Sequence, residues 1–160
     1  MTTVVAKLFG LAGACTAVFG RKDYQQWKVL ERMARDLDLP VEVVGAPIVR
    51  EEGGLALSSR NRYLSAEQRE RALGIVTGLR AAARAFAEGV RDRERLLRSA
   101  REPVEARFDR IDYVALADAD ELTPLEGDAV PDRALLAVAA HIGKTRLIDN
   151  VVLGEDPIPA

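Results

Sequence analysis

Apolar positions between residues 24 and 38 recur with the period of a helix. Trp27, Leu30, Met33, Ala34 and Leu37 share one face, Lys28, Glu31, Arg32 and Arg35 lie elsewhere, and Pro40 follows the end. Short apolar runs flank this helix, Thr16–Phe19 between glycines and Val41–Gly45 after the proline. Both read as buried strands. Strand, helix and strand within about thirty residues make a βαβ unit, so the sheet is expected to be parallel with a right-handed crossover. Ahead of it, Thr2 or Thr3 is expected to cap a short helix bearing Val5, Leu8 and Phe9, ended by Gly10 and Gly13.

The pattern changes near Pro47. Residues 48–57 read as an extended segment with a turn at Gly53-Gly54. Ser65-Ala66-Glu67-Gln68 is a capping box, with Ser65 as N-cap and Gln68 reaching back. It opens a long helix carrying Leu73, Val76, Leu79, Ala83 and Phe86, with Gly89 at its C-terminus. A second helix is expected from about Asp92 to Phe108, weakened midway by Pro103. Ile111–Ala117, Ala134–Ala140 and Thr145–Val152 then read as strands of a small antiparallel sheet, and residues 154–160 as a loose tail. The expected fold is α/β: a parallel-sheet region over residues 1–50, a hinge over 51–64, and a smaller α+β domain over 65–160.

Composition narrows the function. The 160 residues, 48% of them hydrophobic, suffice for one ordinary core or two small sub-domains. A net charge of −2, with Lys and Arg scattered among Asp and Glu, argues against a nucleic-acid surface. The single Cys15 excludes an internal disulfide and fits a reducing compartment. No apolar run approaches the roughly 18 residues of a membrane span. The first residues lack the features of a secretory signal, so a soluble, cytoplasmic protein is expected.

Two segments could carry chemistry. A lone Lys-Asp pair reads as a surface ion pair, but Lys22-Asp23 follows Gly20 at the carboxyl end of an expected parallel strand, where ligands of open α/β sheets bind. The next helix directs its positive N-terminus to the same place. Gln26, one turn on, could face the same cleft. The second segment is Ser58-Ser59-Arg60, after the glycine turn. Its plain reading is a polar turn capped by Ser58 or Ser59. It also suits a mobile phosphate clamp, because Arg60 can bind phosphate oxygens in a fork and the hydroxyls add donors.

Other features are set aside. His141, the one histidine, lies in His141-Ile142-Gly143-Lys144 and reads as a solvent-facing turn residue. Cys15 reads as a buried structural thiol. Asp118-Ala119-Asp120-Glu121 reads as a cap at a strand exit rather than a metal cluster, and no metal ligands are assigned. Walker-type, paired-cysteine and Gly-x-Ser-x-Gly motifs do not occur.

Residues Thr3–Phe9, Phe19–Gln26, Val43–Arg50, Leu57–Leu64 and Gly143–Asn150 together resemble the pantothenate synthetase (pantoate–β-alanine ligase) family, in its order and spacing. The resemblance implies the second half of a Rossmann-like nucleotidyltransferase sheet, followed by the smaller domain. It implies that Gly20, Arg21, Lys22 and Asp23 line an ATP site, with Lys22 on phosphates and Asp23 on the ribose. Gln26 would hold pantoate, and Val49 would offer backbone contacts to adenine. Leu57, Ser58, Ser59 and Arg60 would clamp the triphosphate, with Leu57 standing where methionine is usual. The implied reaction forms pantoyl adenylate and pyrophosphate, then pantothenate and AMP, with Lys22, Arg60 and Mg²⁺ neutralising charge. Family members carry a further stretch ahead of the equivalent of Thr3, including a His-x-Gly-His motif. The resemblance therefore implies that this chain holds part of the machinery, working as a homo-oligomer or with a separate N-terminal half. A non-catalytic assembly module and a related nucleotidyltransferase with another substrate are the alternatives.

Overall fold

A computed structural model describes residues 1–159, in two compact units, Met1–Ile48 and Val49 onward. The first unit runs α1 (Thr2–Ala12), β1 (Cys15–Gly20), a 3₁₀ turn (Arg21–Asp23), α2 (Tyr24–Asp36) and β2 (Val41–Ala46). β1 and β2 pair in parallel, from Cys15 opposite Val41 to Gly20 opposite Ala46. The βαβ unit is thus present, each strand longer than its apolar run. Burial alternates along β1 and along β2 as far as Val44. On the outer face Val18 and Val44 stand side by side, 65% and 38% exposed.

Three local expectations change in this unit. Met1, not Thr2 or Thr3, is the N-cap of α1, and Gly10 lies inside the helix. Gly13 stops it at φ 71°, where a side chain would be strained, and donates its N–H to the Phe9 carbonyl at 2.9 Å. Leu37 is the C-cap of α2 and is 59% exposed, off the buried face, which Tyr24, Leu30 and Ala34 form instead. The helix ends one residue too soon for Leu37 to complete the stripe.

The second unit holds α3 (Ala66–Ala87), α4 (Arg93–Glu105), β3 (Arg110–Ala117), β4 (Ala134–Ile142) and β5 (Thr145–Leu153). The sheet is antiparallel in the order β3-β4-β5. The capping box forms: the Gln68 N–H donates to Ser65 Oγ at 3.2 Å and the Ser65 N–H to Gln68 Oε1 at 3.0 Å. The core joins Leu79, Phe86, Leu96 and Val104 of the helices to Leu136, Val138, Ile142 and Val151 of the sheet.

α3 and α4 meet through a glycine pair that the hydrophobic pattern does not reveal. A Cβ added to Gly78 would lie 2.2 Å from the Ala100 carbonyl oxygen, and one on Gly74 2.8 Å from that of Pro103. Their bare backbones let the helices approach. Pro103 sits in the last turn of α4 rather than midway, and the helix closes at Glu105 rather than Phe108. Asp92 supplies its cap, accepting the Arg95 N–H at 2.7 Å. The tail is tied down rather than loose. Asp156 Oδ2 accepts the Val152 N–H at 2.7 Å, Arg80 donates to the Pro159 carbonyl at 2.9 Å, and Pro159 is buried.

Candidate functional site

Gly20 closes β1, and the chain turns through Arg21–Asp23 into α2. Gly20 has an ordinary extended backbone (φ −72°), and an added Cβ would meet nothing within 4 Å. Neither conformation nor packing among the described residues demands glycine there. Arg21 is held by ring faces, its guanidinium carbon 5.4 Å from the Trp27 ring and 5.9 Å from that of Tyr24. Trp27 in turn lies flat against β2, where a Cβ on Gly45 would come within 2.6 Å of its ring. Lys22 is half-buried, while Asp23 and Gln26 are exposed. Asp23 is the N-cap of α2 but makes no side-chain capping bond, so its carboxylate is not spent on the helix. Gly20, Arg21, Lys22, Asp23 and Gln26 thus gather at one place, the carboxyl end of a parallel strand and the start of a helix.

The second group belongs to the other unit. The Leu57 N–H donates to the Val49 carbonyl at 2.8 Å and the Glu51 N–H to that of Leu55 at 2.8 Å, making a tight hairpin. Gly53 and Gly54 turn it at φ 94° and 98°. Val49 and Leu57 are exposed at its mouth. Ser58, Ser59 and Arg60 then form a short arc, Ser58 capping a 3₁₀ turn (Ser59–Tyr63) of which Ser59 and Arg60 are the first residues, with Ser58 Oγ accepting the Arg60 N–H at 3.2 Å. Ser58 is therefore a cap, as its plain reading holds. Ser59 and Arg60 are exposed, and Arg60 reaches the Arg146 carbonyl at 3.4 Å. Two hydroxyls and a guanidinium side by side offer several donors to one anion.

Several residues around this arc escape sequence reasoning. Arg50 makes a forked ion pair with Asp149, at 2.6 and 3.2 Å, and donates to the Gly54 carbonyl at 3.0 Å. Asn61 is buried and donates to Glu51 Oε1 at 2.8 Å and the Ala56 carbonyl at 3.0 Å. Arg69 donates to Glu51 Oε2 at 2.7 Å and the Asn61 carbonyl at 3.0 Å. One signal was available: Asp149-Asn150 interrupts the apolar run from Leu147 to Leu153, and a buried carboxylate calls for a cationic partner.

His141 is not in a turn. It lies in β4, only 16% exposed at its side chain, with Nε2 2.7 Å from Arg110 and 3.1 Å from Asp112. Pairing of Ile142 with Thr145 carries the strand past the expected boundary. Arg146 donates to Asp112 at 2.7 Å and, with His141, holds that carboxyl below its ordinary range against a smaller opposing effect of burial. Cys15 is half-buried at the start of β1 rather than buried. Asp118 Oδ1 accepts the N–H groups of Asp120 and Glu121, both at 2.8 Å, and so caps the exit of β3. Among the described residues no three His, Cys, Asp or Glu side chains gather as metal ligands, and no helix is long and apolar enough to cross a membrane.

The fold defines an α/β protein: a parallel strand–helix–strand piece of a Rossmann-like sheet, then a smaller α+β unit. The chain belongs to the pantoate–β-alanine ligase family, whose model, described as "Pantoate-beta-alanine ligase", matches residues 1–152. It is 52% identical over 154 residues to pantothenate synthetase of Sphingopyxis alaskensis, covering 96% of this chain and 54% of that protein. It superposes on the crystal structure of pantothenate synthetase from Thermus thermophilus with a TM-score of 0.86 at 45% identity, over 94% of this chain and 54% of that one. A Francisella tularensis pantoate–β-alanine ligase, solved with a β-γ ATP ligand and β-alanine, aligns at TM-score 0.62 and 25% identity, over 98% of this chain and 50% of that one. The chain spans about half the length of the relatives it matches.

Proposed function

We propose that this chain serves the ATP-dependent condensation of pantoate with β-alanine, through a pantoyl adenylate. A pantoate carboxylate oxygen attacks the α-phosphorus, the bond to the β-phosphate breaks, and pyrophosphate leaves. The β-alanine amine then attacks the acyl carbon, AMP leaves, and the nitrogen loses a proton. Gly20, Arg21, Lys22 and Asp23 bind the nucleotide, with Lys22 on phosphate and Asp23 on ribose. Gln26 orients pantoate, Val49 borders the adenine through its backbone, and Leu57, Ser58, Ser59 and Arg60 hold the triphosphate. Lys22 and Arg60 oppose the negative charge that develops as pyrophosphate departs. The observation that carries this reading is Gly20. It is a glycine that the fold does not need, at a strand end beside a lysine and a helix N-terminus, where a phosphate can approach the backbone. The nucleotide bound by the Francisella relative is in keeping with it. Among the described residues no three His, Cys, Asp or Glu side chains gather, so Mg²⁺ would be held chiefly by the nucleotide's own phosphates, and no step is assigned to it.

The test is pyrophosphate release in the enzyme made up to the length of its relatives. Lys22→Ala and Arg60→Ala are each expected to lower the adenylation rate by roughly 10²-fold or more, the scale of one lost transition-state donor. His141→Ala is expected to leave it nearly unchanged. The 160-residue chain tested by itself is expected to turn over slowly or not at all, since the family resemblance implies a His-x-Gly-His motif and the one histidine of these 160 residues stands in His141-Ile142-Gly143-Lys144. Full activity of Lys22→Ala, or equal damage from His141→Ala, would refute the assignment.

A further inference from the structure

The arc Ser58–Arg60 is tied at both ends. Before it, the Leu57 N–H bonds to the Val49 carbonyl at 2.8 Å. After it, Asn61 turns its side chain inward, 1% exposed, onto the hairpin that the arc has just left. Its amide nitrogen donates to Glu51 Oε1 at 2.8 Å and the Ala56 carbonyl at 3.0 Å. Arg69 of α3 engages the other oxygen of Glu51 at 2.7 Å. The same guanidinium also donates to the Asn61 carbonyl at 3.0 Å, at the end of the arc. Three residues between two fixed points leave the arc's backbone little room. Asn61 Oδ1 is buried with no partner, a cost borne while the donor side is fully used.

We propose that Asn61, held by Glu51 and Arg69, is the positioning residue of the phosphate-clamping arc. This rests on the reading that Ser58, Ser59 and Arg60 hold the triphosphate. Asn61 touches no substrate. It sets where the arc's hydroxyls and guanidinium stand, and an error of about 1 Å in such placement can cost 10²-fold in rate.

Asn61→Asp sets two acceptor–acceptor contacts where two donor bonds were. Adding Glu51→Gln places an amide donor opposite the new carboxylate and should recover part of the loss. Arg69→Met, at a partly exposed side chain, loosens the same anchor without a buried charge. Amide exchange in the 160-residue chain is the first readout. Asn61→Asp and Arg69→Met should speed exchange at Arg60, Asn61 and Leu64, whose N–H groups bond within the arc and the turn, while β4 and β5 stay protected. Pyrophosphate release by the full-length enzyme is the second: KM for ATP should rise and kcat fall, together about 10²-fold in kcat/KM, with partial recovery in the double variant. Unchanged exchange in both variants overturns the proposal. So does exchange that rises equally in β4 and β5, which marks general destabilisation, or unchanged ATP kinetics alongside a loosened arc. A wild-type enzyme that released no pyrophosphate would sink the ligase reading instead, and exchange would still judge the anchor.

Discussion

Removing the carboxylate of Asp149 should cost the second unit about 3 kcal/mol. Arg50 and Asp149 meet in a fork at 2.6 and 3.2 Å, with side chains 16% and 4% exposed. A surface pair of this kind contributes about 0.2–1 kcal/mol. Breaking a buried one costs about 3–5 kcal/mol, because the surviving charge stays out of water. The burial of Asp149 points to the upper class. The Gly54 carbonyl, 3.0 Å from Arg50, still compensates part of the stranded guanidinium and points to its lower end. Asp149→Ala is therefore expected near 3 kcal/mol, whereas Arg50→Met with Asp149→Leu should cost much less than the two single changes summed. Urea titration checks this, with a midpoint shift of about 1 M or more for slopes of about 1–3 kcal/mol/M. The signal must be far-UV circular dichroism, since Trp27, the one tryptophan, reports on the first unit. A loss below about 1 kcal/mol, or a double variant as unstable as the sum, would refute the reasoning.

Gly78→Ala drives a methyl group to within 2.2 Å of the Ala100 carbonyl, so overpacking of about 1–3 kcal/mol should outweigh the gain of about 1 kcal/mol in helix propensity and lower Tm. Gly10→Ala, in α1 with nothing within 4 Å, should raise stability by about 0.5–1 kcal/mol in the same thermal melt. The Gly143 N–H and Arg71 hold the Asp109 carboxyl below its ordinary range, as Arg146 and His141 do for Asp112. Depressed carboxylates contribute stability that is present above about pH 4 and lost as pH falls through their folded pKa. Asp109→Asn with Asp112→Asn should thus flatten the pH dependence of unfolding below about pH 4, and an unaltered acid limb would count against it. The open sheet face at Val18 and Val44 should make the isolated 160-residue chain self-associate; Val18→Lys with Val44→Lys should shift its sedimentation toward monomer, and a wild-type monomer at every concentration would contradict this.

Some of this protein is written in short stretches of chain. The capping box at Ser65–Gln68, the turn at Gly53-Gly54, the stop at Gly13 and the stripe of α3 each depend on residues within one or two helical turns, so local periodicity and backbone chemistry reveal them. The parallel pairing of β1 and β2 follows too, since a helix between two strands leaves few other arrangements. The candidate residues Gly20–Asp23 and Ser58–Arg60 were legible because each set is contiguous. What holds the second set in place was not. Arg50 and Asp149 lie 99 residues apart, and nothing local says that one neutralises the other. Asn61 reads as one more polar turn residue until folding brings Glu51 and the Ala56 carbonyl around it. His141 enters a strand because Arg110 and Arg146 pair with it from both sides. Gly74 and Gly78 matter because α4 arrives against them. In each case the deciding partner is distant in sequence, and the cost of a buried charge, an unmet donor or a blocked approach exists only once the chain has folded.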